Sequence, residues 1–138
     1  KDKVVIVQIM GSWCPNCMDE TAYLVSLHNK FHQQGLEVVS LAFEKSDDME
    51  INTQSLNRLK EHFSIPYEIL LAGKASKTEA ARKLPMLNHV LSFPTSIYID
   101  REGKVRKIHT GFSGPGTGEY YKEFVEKTNQ FVTELLIE

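Results

Sequence analysis

Apolar side chains fill Val4-Val5-Ile6-Val7-Gln8-Ile9-Met10 with Gln8 as the single polar interruption. A run of that density is the mark of a strand covered on both faces in a parallel sheet. Past Gly11 and Ser12 the period lengthens, and Met18 to Gln34 reads as a helix ended by Gly35. Leu36 to Phe43, apolar and β-branched, predicts a second strand, and Glu44 to Glu50 an acidic loop. Leu56, Leu59 and Phe63 are spaced to form one face of a helix that Ile65-Pro66 breaks. Tyr67 to Leu71 reads as a short strand ending at Gly73, and Lys77 to Leu84 as a short helix stopped by Pro85. Residues 85–93 have no clear period. Thr95 to Ile99, a turn at Asp100-Arg101-Glu102-Gly103, and Lys104 to Thr110 form a β-hairpin. A glycine-rich loop, Gly111 to Gly118, leads to a final helix marked by Tyr120, Phe124, Phe131 and Leu135. The order β-α-β-α-β-(α)-β-β-α predicts an α/β fold: a mixed central sheet with parallel crossovers, then an antiparallel hairpin, flanked by helices on both faces.

Composition leaves that picture intact. The 138 residues suffice for one domain, 1–138, with a real core; 41% are hydrophobic and 25% charged, which excludes a disordered chain. A formal net charge of −2 gives no electrostatic case for nucleic acid or an anionic membrane. Two basic clusters, Lys74/Lys77/Arg82/Lys83 and Arg101/Lys104/Arg106/Lys107, are interleaved with acids and apolar residues and read as solvated faces. No apolar run is long enough to span a bilayer, and no signal peptide is visible. The chain begins at Lys1 and enters its central strand almost at once, which reads as a mature or excised part of a longer chain.

The chemistry concentrates in Trp13-Cys14-Pro15-Asn16-Cys17, which holds both cysteines of the chain at the junction of strand and helix. A C-x-x-C at that junction reads as a dithiol redox site. Free N–H groups and the positive end of the helix dipole stabilise a thiolate on the first cysteine. Pro15 suits the first helical turn, where its missing donor costs nothing. Cys14 is then the exposed nucleophile, and Cys17, one turn on and facing inward, the resolving thiol. A structural staple is the poorer reading, because closing so short a loop gains little chain entropy.

With the apolar strand, the W-C-P-x-C cluster, the Phe93-Pro94-Thr95 step and the closing hairpin and helix, the chain resembles the thioredoxin superfamily over nearly its whole length. It looks most like the extracytoplasmic TlpA/ResA-type thiol-disulfide oxidoreductases of bacteria. The resemblance implies that Cys14 and Cys17 are the redox pair and that Pro94 is a cis-proline facing them, leaving backbone groups free for a substrate peptide. It implies a proton-handling role for Glu20 beside the pair, and a groove-lining role for Gly111. Gln8 stands where ordinary thioredoxins place a buried aspartate, so that relay is absent. About residues 65–91 correspond to a family insertion. Protein thiols or disulfides are the implied substrates, with a separate redox partner and no bound cofactor beyond the Cys14–Cys17 disulfide.

Each residue has a blander alternative. Asp19 and Glu20 fall in the first turn of the predicted helix, where acids are favoured by the dipole alone. Trp13 is a substrate-contacting candidate or a packed aromatic, and Phe93 a substrate-contacting candidate; Met18 and Met86 are substrate contacts or core filler. Cys14, Cys17, His28 and His32 approach a zinc-finger spacing, but on one helix His28 lies about 20 Å from Cys14, so no metal site is expected and the histidines read as surface groups. A copper chaperone using the two thiolates and His89 or His109 is a rival from another class. A peroxidase lacks its P-x-x-x-T-x-x-C setting, a redox-inert binding domain has no use for the intact pair, and the glycine-rich loop matches no phosphate-binding pattern. A disulfide oxidase or isomerase is the rival of the same fold. Asn16 places no positive charge beside the thiolate, which favours a reductase.

Overall fold

The computed structural model describes residues 2–74, 93–112 and 114–138. The predicted Lys77–Leu84 helix, the basic residues within it, Met86 and His89 lie outside these. Strand β1 (Val4–Met10) leads into helix α1 (Pro15–Phe31), a 3-10 turn (His32–Gln34) and strand β2 (Leu36–Glu44). Helix α2 (Met49–Phe63) and strand β3 (Glu68–Lys74) follow; β4 (Thr95–Ile99) and β5 (Val105–Thr110) form the hairpin, and α3 (Glu119–Ile137) closes the chain.

The sheet order is β3-β2-β1-β4-β5, with β1, β2 and β3 mutually parallel and β4 and β5 antiparallel. The continuous apolar run becomes the central strand, as its pattern requires. Both parallel crossovers step the same way across the sheet, and right-handed crossovers then place α1 and α2 on one face. Val132, Leu135 and Leu136 of α3 join the same core as Leu24 and Leu27 of α1, Leu56 and Leu59 of α2, and Ile6, Val38 and Tyr98 of the sheet. A smaller cluster, Ile9, Phe43 and Ile97, forms where the alternate side chains of β1, β2 and β4 emerge.

Local chemistry sets the element ends. Asp48 caps α2 by accepting the Glu50 and Ile51 N–H groups, and Ser64 ends it in the left-handed conformation. Asp100 Oδ1 accepts the Glu102 and Lys104 N–H groups at 2.9 Å each and folds the hairpin turn. Two expectations are corrected. Tyr120 is 77% exposed, because the buried stripe of α3 runs through Thr128, Val132 and Leu135 and, at 3.6 residues per turn, picks up Tyr121 instead. Arg101 is not part of a solvated face: its guanidinium donates to the carbonyls of Asp2, Gln34 and Leu136, tying the N-terminus and the end of α1 to the end of α3.

Candidate redox site

Helix α1 starts three residues earlier than its hydrophobic pattern suggests, so Cys14 is its N-cap and Pro15 its first residue. Cys14 Sγ accepts the Cys17 backbone N–H at 3.2 Å. Both thiols are free, and Cys17 is fully buried. Cys14 is itself only 5% exposed, less open than an attacking thiol on a bare helix end would be, because aromatic side chains crowd the rim. Trp13 packs edge-on against Phe93, ring centroids 5.2 Å apart, and its Nε1 donates to the Phe43 carbonyl at 2.8 Å. Gly11 makes room for this, since a Cβ there would stand 2.1 Å from the indole nitrogen. The Lys45 ammonium sits 4.7 Å from the centroid of a Trp13 ring.

The Phe93–Pro94 bond is cis. The Cys14 thiol points at the Phe93 carbonyl, 3.7 Å away, while the Pro94 carbonyl accepts the Gly111 N–H at 2.7 Å. Each carbonyl of this step thus carries one contact, the Cys14 thiol on Phe93 and the Gly111 N–H on Pro94. Gly111 has φ +77°, a conformation that favours glycine, and open space where a side chain would be. The glycine-rich loop is pinned beside the helix: Phe112 is buried against Tyr121 and Phe124, and Gly114 packs so closely on Asp19 that a Cβ would stand 2.2 Å from its carboxylate.

Beneath the cysteines lies a buried polar network. Cys17, Glu20, Thr21 and Leu24 share the inward stripe of α1. Glu20, 1% exposed, accepts from Ser96 Oγ at 2.8 Å and from Gln8 Nε2 at 3.1 Å. Gln8 Nε2 also lies 3.3 Å from Thr21 Oγ1 and 3.5 Å from the Cys17 carbonyl, and its Oε1 accepts Ser40 Oγ at 2.7 Å. Burial pushes the Glu20 carboxyl up from 4.5 to about 7, against the pull of the Ser96 and Gln8 hydrogen bonds. Burial likewise drives the Cys17 thiol well above its ordinary value, with the neighbouring Cys14 and Glu20 acting in the same direction. Asp19 and Glu20 fall in the second turn, since α1 begins at Pro15, so the helix dipole does not account for Glu20.

The AhpC/TSA family model matches residues 1–108, more than three-quarters of the chain. The chain belongs to the AhpC/TSA family. Among curated relatives it is 29% identical over 127 residues to thiol-disulfide oxidoreductase ResA of Bacillus thuringiensis subsp. konkukian, covering 92% of this chain and 64% of that one. It is 25% identical over 111 residues to ResA of Bacillus subtilis, covering 80% and 55%. The chain thus spans less than two-thirds of the length of these relatives. Among solved structures, a thiol:disulfide interchange protein of Chlorobium tepidum superposes with a TM-score of 0.71 at 20% identity, covering 99% of this chain and 81% of that one. A thiol-disulfide isomerase of Corynebacterium glutamicum gives 0.73 at 17% identity, covering 100% and 83%. The resemblance to the ResA type and the thioredoxin-like fold read from the sequence hold.

Within this family member the fold brings Trp13, Cys14, Cys17, Glu20, Phe93, Pro94 and Gly111 to one end of the sheet. Met18 lines a neighbouring groove of about 510 Å³ with Ser12, Arg58 and His62. His109 packs on Phe124, and among the described residues no potential metal cluster includes either cysteine. His28 is corrected from surface group to buried residue, one stripe position below Leu24.

Sequence reading missed two groups. Glu44 ends β2 instead of opening a loop, and its buried carboxylate accepts both the Ser12 N–H, at 2.8 Å, and the Ser12 hydroxyl, fixing the turn before Trp13. Gln8, noted only for the aspartate it replaces, is the hub of the network; a lone polar residue in a central strand was its signal.

Proposed function

We propose that this chain is a thiol-disulfide oxidoreductase domain that reduces disulfides in protein substrates. The observation that carries the proposal is a helix-capping Cys14 with Cys17 and Glu20 stacked on the buried stripe behind it. Cys14 attacks one sulfur of a substrate disulfide; that bond breaks, a mixed disulfide forms, and the departing thiolate takes a proton from solvent. Cys17 passes its proton to Glu20 and attacks Cys14 Sγ, which leaves a Cys14–Cys17 disulfide and expels the second substrate sulfur as a thiolate that takes a proton from solvent. Two electrons have moved to the substrate. Glu20, poised near neutrality, accepts a proton that a carboxylate at its ordinary value would hold only weakly. Trp13, Phe93, Pro94 and Gly111 form the rim that receives the substrate chain.

The dithiol carries both electrons, so the cycle calls for no bound cofactor, only a separate donor that reduces the disulfide again. The ResA-type resemblance supports a location outside the bacterial cytoplasm, and no helix among the described residues is long and apolar enough to cross a membrane. Equilibration with glutathione buffers tests the direction. A Cys14–Cys17 potential near or below about −250 mV supports a reductase, and one above about −180 mV replaces it with an oxidase or isomerase. Absence of any reversible disulfide refutes the redox reading.

A further inference from the structure

Away from the dithiol, the end of α1 and the start of β2 enclose a pocket of about 610 Å³. It opens because β3 begins opposite Val39, so Leu36, Glu37 and Val38 have no partner strand on that side of β2. His28 and His32 stand one helical turn apart, the His32 N–H donating to the His28 carbonyl, so both rings project from one face. The rings stack with centroids 4.5 Å apart, and His32 Nδ1 lies 3.3 Å from Glu37 Oε1.

His28 is 6% exposed and its Nδ1 has no hydrogen-bond partner. Nor has the buried hydroxyl of Tyr67, whose ring lies 5.7 Å from the His28 ring. Buried polar groups are almost always partnered, so an imidazole nitrogen held this way is poised for a ligand. One ligand atom each from His28, His32 and Glu37 lies within 4.8 Å of the others. Ligands around a tetrahedral ion at about 2.1 Å stand about 3.4 Å apart, so the three need to close by about 1.4 Å. His32 Nδ1 also lies 3.4 Å from the Leu36 carbonyl, a contact the movement gives up, and the His32 and Glu37 side chains, 50% and 41% exposed, have room to make it.

We propose that His28, His32 and Glu37 form a binding site for a divalent transition-metal ion of the Zn²⁺ class, joining the last turn of α1 to the first residues of β2. Two imidazoles and one carboxylate with an open fourth position suit such borderline ions. Glu37 and Glu68 outnumber Lys60 among the lining residues, so the pocket favours a cation. His28 lies fourteen residues beyond Cys14, about 20 Å along the helix, which makes the site independent of the thiols.

The test is a calorimetric titration of ZnCl₂ into the Cys14→Ser/Cys17→Ser protein, which removes the competing thiolates, with circular dichroism confirming the fold. One equivalent is expected to bind with micromolar or tighter affinity and to raise the unfolding temperature. His32→Ala and Glu37→Gln change half-exposed positions and spare the core; each is expected to weaken binding at least about 10-fold, with the zinc-free unfolding temperature little altered. Binding weaker than about 100 µM, or binding that His32→Ala and Glu37→Gln leave unmoved, overturns the site.

Discussion

Glu20→Gln probes the buried carboxyl directly. Folding moves this group from 4.5 to about 7, so between those values the native protein holds a proton that the unfolded chain has released. The sign follows: stability from this group falls as pH rises from about 4.5 to 7, and the ionised carboxylate is a net cost above that. At about 1.4 kcal/mol per pH unit the full cost is about 3 kcal/mol, of which about 2.5 kcal/mol develops between about pH 5 and pH 8. Burial drives Cys17 upward and out of that window. Glutamine keeps the shape and can still accept from Ser96, so it removes the charge while sparing most of the packing.

Urea unfolding of the reduced wild-type and Glu20→Gln proteins across this range is the assay. The variant's stability relative to wild type is expected to rise with pH by about 2 to 3 kcal/mol, with an inflection near 7. A difference independent of pH refutes the buried-carboxyl argument. The same variant separates stability from chemistry, because losing a general base at Cys17 is expected to slow resolution of the mixed disulfide about 100-fold or more and abolish its inflection near 7. Unchanged resolution kinetics remove Glu20 from the mechanism.

Three further outcomes follow from the geometry. Cys17→Ser is expected to accumulate a stable mixed disulfide with a substrate protein, seen on non-reducing gels, whereas Cys14→Ser forms none; the opposite pattern reverses the two roles. Gly11→Ala places a methyl group 2.1 Å from Trp13 Nε1 and 2.8 Å from the Phe43 carbonyl, so it is expected to displace the indole, shift tryptophan fluorescence and cost about 1–3 kcal/mol, and unchanged fluorescence argues against that packing. Arg101→Ala strips the Asp2, Gln34 and Leu136 carbonyls of a charged donor and is expected to cost about 2 kcal/mol by urea unfolding, where a neutral result marks these contacts as dispensable.

Much of the redox site was legible because its signals are local. Strand, turn, N-cap cysteine, Pro15 and resolving cysteine occupy fewer than twenty consecutive residues, and hydrophobic period places them without reference to anything distant. The strand boundaries at Leu36, Thr95 and Thr110 were legible for the same reason. Glu44 was misplaced by a single residue at the end of β2, and that residue decided whether it was a loop acid or the buried partner of Ser12. Tyr120 failed because adjacent aromatics leave the helix phase ambiguous until packing chooses between them.

Residue order thus carries the identities of the reacting sulfurs and the spacing that puts one at a helix start and the other a turn behind it. Pairing across the sheet is another matter. Gln8, Glu20, Ser40 and Ser96 come from three strands and a helix, and the parallel register of β1 on β2 with the antiparallel register on β4 aligns them under Cys17. The Glu20 proton affinity is set by that burial. Desolvation depends on what surrounds a group in space, and neighbours dozens of residues apart leave no periodic trace in the chain.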